Sequence, residues 1–320
     1  MGAMARKDLE SGHLHVAADE AGSRLDRVLL RRLGASHRPL ILRLIRKGNV
    51  RVNRKRARPE TRLQEGDDIF LPASLRQPPE PASVQTIPAA LARQVQALAI
   101  LHEDEDLLAV YKPAGMVVHG GSGHGAGLIE ALKELRHLPD LRLAHRLDRD
   151  TSGVLLMAKH LAALRALTES FRERDMHKTY FALIAGHPFA HAGRMVSRLA
   201  KGAVRGGERM VVDVEDGKEA VTDYQVMMHL EKDGFEYAMV ALNPHSGRTH
   251  QLRVQLAGEG HAILGDGKYG RREDNRAFRK LGGRGLALHA WRLRFLHPRR
   301  HEPVEIRAGL PASWSHLLHR

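Results

Sequence analysis

The stretch Ala144-His145-Arg146-Leu147-Asp148-Arg149-Asp150-Thr151-Ser152-Gly153 leads directly into the apolar run Val154 to Ala158. Two Asp, two Arg, Thr, Ser and Gly ahead of such a run read as a polar loop entering a buried strand. Loops held on a rigid scaffold are common homes for catalysis, because their side chains reach solvent while the backbone stays fixed. Residue chemistry alone leaves two readings open. The loop is either a carboxylate nucleophile flanked by cations or an Asp/Ser turn that caps its own backbone.

Further strand-like runs lie at Leu107 to Tyr111, Tyr180 to Gly186, Val221 to Met228, Tyr237 to Leu242 and Leu286 to Leu296. Helical spacing appears at Leu128 to Leu135, Leu161 to Phe171 and His250 to Leu256. Strands in runs with few helices between them predict an α+β domain with a mainly antiparallel sheet, not a regular βαβ array. The segment Arg271 to Gly285 (RREDNRAFRKLGGRG) is very basic and reads as a loop.

The chain has 51 Lys+Arg against 37 Asp+Glu, a formal net charge of +14. That excess points to a polyanionic partner, above all nucleic acid. With no cysteine, disulfides, thiolate metal sites and thiol catalysis are excluded, and a reducing cytoplasm is the expected compartment. The start MGAMARKDLESGH has no apolar signal-peptide core, and no run has the length of a membrane span. The 21 histidines show no HExxH string and no tight His/Asp cluster, so no metal site is expected.

Charge concentrates near the N-terminus. Residues 24–62 carry fourteen Lys or Arg against Asp26 and Glu60, a local net of +12. Leu25, Val28, Leu29 and Leu33 recur at one-turn spacing, as do Leu40, Ile41, Leu44 and Ile45, which predicts two short helices. Pro39 suits the first turn of the second helix, with Ser36 as N-cap, and Gly48 suits its stop. Two short strands follow, Val50 to Asn53 and Asp68 to Leu71. In such a module Arg27, Arg31, Arg32, Arg38, Arg43, Arg46 and Lys47 face out, and phosphate contact is the natural use of that surface. Five prolines between Pro72 and Pro88 mark an extended linker. The expected organisation is a basic module at 1–75 with its core at about 22–72, a linker at 76–94 and a catalytic domain at 95–320.

The basic module resembles the S-four-type RNA-binding domain, in which the second helix and the following turn face RNA. The resemblance implies RNA contact by Arg27, Arg31, Arg43, Arg46, Lys47 and Arg54. Downstream, the string HRLDRDTSG at 145–153 resembles the signature of the RluA family of pseudouridine synthases. Lys112-Pro113-Ala114-Gly115, Lys178-Thr179-Tyr180-Phe181-Ala182, Gly247-Arg248-Thr249-His250-Gln251-Leu252-Arg253, Gly265-Asp266 with Tyr269-Gly270, and Leu288-His289-Ala290 match the family's other elements in order. Together with Val118-His119-Gly120-Gly121-Ser122-Gly123, the HRLDRDTSG string is closest to the branch of ribosomal large-subunit enzymes known as RluC.

That resemblance implies a pseudouridine synthase fold with a central, mainly antiparallel mixed sheet. It implies isomerisation of uridine in large-subunit (23S) ribosomal RNA, or in an assembly intermediate of it, by a cofactor-free monomer. Asp148 would be the catalytic carboxylate, with Arg253 beside it and Tyr180 against the uracil. Arg146 would fill the place of a flipped-out base, Leu147 and Leu252 would wall the pocket, and Asp150 would serve loop hydrogen bonding. Asp148 would act either by covalent addition or by abstracting a sugar proton.

Overall fold

In a computed structural model, the structure is described for residues 11–34, 38–76, 87–120, 126–173, 175–188, 190–205 and 208–319. Ser36, most of the Pro-rich segment and Gly121 to Gly123 lie outside these residues. So does the side chain of Arg38. The chain divides into two compact units, residues 1–85 and 86–320. Among the described residues no helix is long and apolar enough to cross a membrane.

In the first unit, β1 (His13–His15), α1 (Leu25–Leu33), α2 (Arg38–Lys47), β2 (Arg51–Val52), β3 (Lys55–Arg56), β4 (Asp68–Phe70) and α3 (Ala73–Arg76) follow in order. The strands form one sheet in the order β1-β4-β2-β3. The two leucine- and isoleucine-bearing helix faces pack on it: Leu25, Val28, Leu29, Ile41, Leu44 and Ile45 share a core with Ile69 and Leu71. α2 ends as its sequence requires. Gly48 takes φ +78, its N–H bonds the Ile45 carbonyl, and the Asn49 N–H bonds the Leu44 carbonyl, a Schellman stop. β1 and β3 go beyond the sequence expectation. β3 exists because Asn53 and Arg54 both take positive φ and close a two-residue hairpin with β2. One expected outward cation is not free: Arg32 forks onto the buried Glu20 carboxylate at 2.9 and 2.5 Å.

The second unit begins with α4 (Ala89–Gln96), inside the stretch expected as linker. Its Val95 packs with α5 (Leu128–Leu135), so apolar burial carries the folded unit further toward the N-terminus than proline content suggests. The strands are β5 (Ile100–Glu103), β6 (Leu107–Lys112), β7 (Arg142–Leu143), β8 (Ser152–Ala158), β9 (His177–Ala185), β10 (Ala192–Arg205), β11 (Glu208–Asp213), β12 (Lys218–Lys232), β13 (Phe235–Pro244), β14 (Leu288–Leu296) and β15 (Pro303–Arg307). They form one sheet in the order β11-β10-β12-β13-β9-β14-β8-β6-β5, with β15 on β14 and β7 on β8. Among the described strands, only β14 and β8 pair in parallel, which gives the mixed, mainly antiparallel sheet expected.

β8 is buried along its whole length because both faces of the sheet are covered there. Leu155 and Met157 face a core shared with α5, while Val154, Leu156 and Ala158 face a core that includes Ala163 and Leu167 of α6 (Leu161–Glu173). A strand covered on both sides needs a continuous apolar run, and Val154 to Ala158 supplies it. α7 (Gln251–Gly258) follows the GRTHQLR turn. The basic stretch read as a loop is instead a helix, α8 (Arg272–Lys280). Its single large apolar residue, Phe278, is buried, and that one anchor gives too little periodicity to detect. α9 (Ser315–Leu318) closes the chain.

Candidate active site

Asp148 lies in the loop between β7 and β8, and three separate contacts hold that loop. Lys112, the last residue of β6, is fully buried, and its ammonium donates to the carbonyls of Pro113 (2.9 Å), Arg149 (2.7 Å) and Thr151 (2.7 Å). All three of its protons are thus used. Burial pushes this lysine down to about 8, with Asp150 and Asp148 acting against that shift. The Gly115 N–H also bonds the Arg149 carbonyl at 2.9 Å. At the entry to the loop, His145 Nε2 accepts the Leu156 N–H at 3.0 Å, and burial, aided by Lys178, pushes this imidazole down to about 3. It is therefore a neutral strut and not a proton donor.

The turn itself closes through backbone: the Thr151 N–H bonds the Asp148 carbonyl at 3.2 Å. Among the described residues no hydrogen bond ties the Asp148 carboxylate to its own loop. Gly153 then needs to be glycine. It has φ +116, and a Cβ there would lie 2.1 Å from the Ala290 carbonyl of the neighbouring β14. The two strands meet where buried Ser152 donates to His289 Nδ1 at 2.9 Å, and His289 Nε2 faces the Ala308 carbonyl at 3.3 Å.

The carboxylate opens into a cavity of about 360 Å³. Arg146, Leu147, Tyr180, Leu252 and Arg253 all line it, so the structure brings together every residue expected at the chemical centre. Leu147 and Leu252 are buried and supply apolar wall. Arg146 is exposed at the rim, with no ion pair among the described residues. Asp150 is not among the lining residues; it pairs with Arg149 at 3.0 Å. Tyr180 stands on β9 with its ring between two apolar clusters. Burial, reinforced by the Asp148 charge, drives its phenol well above the usual tyrosine range, so the group is neutral at physiological pH.

Arg253 approaches Asp148 at 3.7 Å, an ion pair longer than a hydrogen bond. Its nearer partner is one to which the sequence assigned no role. Asp266, fully buried, takes the guanidinium in a two-bond fork at 2.7 and 2.8 Å and also accepts the N–H groups of Lys268 and Tyr269. Burial alone would raise the Asp266 carboxyl; the Arg253 fork and the backbone donors outweigh it and hold it below its ordinary value. The Arg253 guanidinium also sits 5.2 Å from the centre of the Tyr269 ring.

Three further residues line the cavity that sequence reasoning does not single out. His250, in left-handed backbone at φ +54, faces Asp148 from 3.8 Å. The Tyr269 hydroxyl oxygen accepts the Val211 N–H at 3.0 Å and lies at hydrogen-bond distance, 2.8 Å, from His250 Nδ1. Burial lowers the pKa of this histidine. Lys178 donates to the Ser246 carbonyl at 3.0 Å, and burial pushes it down to about 8. Buried Gln251 ties the GRTHQLR turn, accepting from Ser246 Oγ (2.7 Å) and the Arg248 N–H (3.2 Å) while donating to Thr222 Oγ1 (2.9 Å). All three stand in the quoted motifs, so the available signal is the polar residues of those strings that have no other task.

In the first unit, Arg27 and Arg31 share one stripe of α1, and Arg43, Arg46 and Lys47 share one of α2. Arg54 stands at the hairpin tip. All six are exposed, with no ion pair among the described residues. Elsewhere Asp104, Asp106 and His297 come within ligand distance of one another. Their oxygens are already engaged: Asp106 by Arg299 (2.8 Å) and His160 (2.7 Å), and Asp104 by two backbone N–H groups and His297 (3.0 Å). A guanidinium so close makes this a charge network away from the cavity.

A family model described as RNA pseudouridylate synthase matches residues 106–258, and one described as S4 domain matches residues 23–69. The chain is 42% identical over 309 residues to ribosomal large subunit pseudouridine synthase C of Yersinia pestis, covering 95% of this chain and 93% of the relative. It is 40% identical over 313 residues to the protein of that name from Escherichia coli strain K12, covering 95% of each. Among solved structures, human RNA pseudouridylate synthase domain containing 1 superposes with a TM-score of 0.57 at 30% identity, over 68% of this chain and 85% of that one.

Proposed function

The chain belongs to the RNA pseudouridylate synthase family, and from that membership we propose that it isomerises uridine to pseudouridine in large-subunit ribosomal RNA, with Asp148 as the working carboxylate. The observation that carries the assignment to this residue is its carboxylate, which opens into the cavity with Arg253 facing it at 3.7 Å.

The reaction breaks the bond from ribose carbon 1′ to N1 and forms one from the same carbon to ring carbon 5. The proton on carbon 5 leaves, and N1 ends protonated. The change is redox-neutral and consumes no water, so its atoms balance without a cofactor. Asp148 serves as nucleophile or as base, and the Arg253 charge favours its ionised form in both roles. Tyr180 enters as a neutral phenol, which supports its use as a stacking face for the uracil. Asp148 is recessed in this cavity, and a uridine in a duplex must leave its stack to reach it. The exposure of Arg146 at the rim supports its use to fill the gap.

The exposed cations of α1, α2 and the Arg54 hairpin supply affinity through phosphates. The absence of cysteine suits the cytoplasm. The test is incubation with unmodified large-subunit RNA in the presence of a divalent-metal chelator. Pseudouridine without strand cleavage is the expected product; binding without product would reduce the chain to an assembly factor.

A further inference from the structure

α8 stands outside the machinery described so far, yet it is strongly basic. It buries Asp274 and Phe278 and exposes Arg272, Arg276, Arg279 and Lys280. Steps of four and three residues align Arg272, Arg276 and Arg279 along one stripe. None of these three has an ion-pair partner among the described residues. The helix's own acids turn elsewhere, with Asp274 on Arg271 at 2.9 Å and Glu273 at 3.9 Å from the same arginine. Like charges at this spacing repel one another along a helix. An opposed polyanion would relieve that repulsion.

The stripe is rigidly tied to the reacting centre. On the inner side of α8, Asn275 Oδ1 accepts the Gly265 N–H at 2.8 Å, and its Nδ2 donates to the Asp266 carbonyl at 2.9 Å. The turn after the helix lies hard against the same spot: a Cβ on Gly265 would sit 1.7 Å from the Gly285 carbonyl oxygen. Asp266 in turn forks Arg253, which faces Asp148. A load held on α8 is therefore three side chains (Asn275, Asp266 and Arg253) from the catalytic carboxylate.

We propose that the Arg272, Arg276 and Arg279 stripe grips the phosphate backbone of the substrate RNA and holds it in register with the cavity. This second electrostatic contact lies within the catalytic unit, apart from the N-terminal module. The inference rests on the reading of the chain as an RNA-modifying enzyme.

The test uses the full chain carrying Arg272→Gln, Arg276→Gln and Arg279→Gln together. Its dissociation constant for an unmodified large-subunit RNA fragment is measured across a salt series. The comparison protein carries Arg93→Gln, Arg165→Gln and Lys218→Gln, exposed cations of α4, α6 and β12 with equal charge removed. The stripe variant is expected to bind at least about tenfold more weakly at low salt. Its slope of log affinity against log salt should be shallower by about two to three, since each neutralised phosphate contributes about 0.7–0.9. The comparison protein should keep a slope within about one of the parent. A parental slope in the stripe variant overturns the proposal, and so does an equal loss in both proteins, which would mean only net charge matters. Should the triple variant fail to fold, Arg276→Glu alone puts the same question. Binding is read without turnover, so a parent protein that forms no pseudouridine would defeat the proposed reaction and leave this test readable.

Discussion

The basic face of the first unit and the cavity region of the second use positive charge in opposite ways. In the first, Arg27, Arg31, Arg43, Arg46, Lys47 and Arg54 stand in solvent without ion-pair partners among the described residues. In the second, Lys112, Lys178 and Arg253 are withdrawn from solvent, and each is held by named acceptors at hydrogen-bond distance. A solvated cation attracts a polyanion from a distance and tolerates many geometries. A desolvated one is expensive unless it is paired, and once paired it fixes atoms to within a fraction of an ångström. On the proposed reading, affinity and chemistry are separated by the dielectric around the charge, not by the type of residue.

Asp148→Asn should have the largest effect. It removes the charge and the reacting oxygen while keeping size. Pseudouridine formation should fall below detection with RNA binding retained. Asp150→Asn, two residues along in the same loop, should keep substantial activity because its carboxylate pairs with Arg149 outside the cavity. Near-normal turnover by the Asp148 variant would break the assignment of chemistry to the buried centre.

Arg253→Ala comes next, and it strikes both turnover and stability. Removing the guanidinium leaves Asp266 buried and unpaired, at a cost of about 3–5 kcal/mol. The melting temperature should fall, and kcat should drop by roughly 100-fold or more as the charge beside Asp148 disappears. Arg253→Lys separates the two effects. It retains a charge but loses the fork on Asp266 that aims the charge at Asp148, so melting should recover in part while kcat stays depressed. Normal kcat with weak RNA binding would move Arg253 into the class of the solvated cations.

Deleting residues 1–85 should weaken RNA binding and flatten its salt dependence, by about 0.7–0.9 in slope for each phosphate that is no longer neutralised. Turnover on a short stem-loop should persist. If a truncated protein with a native circular dichroism spectrum shows no turnover at saturating RNA, the separation of affinity from chemistry is wrong.

The smallest effect expected is on pH dependence. Lys178 faces the cavity shared by Arg146, Asp148, His250 and Arg253, and burial pushes it down to about 8. A lysine with a lowered pKa is charged below that value and neutral above it. KM for RNA should therefore rise as pH passes from 7 to 9. Lys178→Arg, charged throughout, should flatten that rise. Should the rise survive in Lys178→Arg, buried Lys112, pushed down to a similar value, is the group responsible.

Much of this is legible in the residues because its causes are local. The Gly48 stop of α2 follows from spacing within a dozen residues, as does the span of α5 from Leu128 to Leu135. β8 announces itself by burial on both faces. The Asp148 loop can be read because its string resembles a family signature; from chemistry alone, a nucleophile and a capped turn look the same. β10 and β11 escape because they build the outer end of the sheet, where large side chains such as Val196 and Val212 remain exposed and the alternation is blurred. α8 escapes because one phenylalanine anchors it.

The sequence by itself determined which segments carry solvated charge, where most central strands run and which carboxylate to watch. Only tertiary structure decided what surrounds that carboxylate. Arg253 and Asp266 are thirteen residues apart, and Lys112 reaches carbonyls thirty-seven and thirty-nine residues away. His250 is oriented through Tyr269, which is itself held by Val211. Nothing in local periodicity encodes such pairings. A buried charge takes whichever acceptor the packed sheet brings within about 3 Å, and that choice is made when the strands assemble.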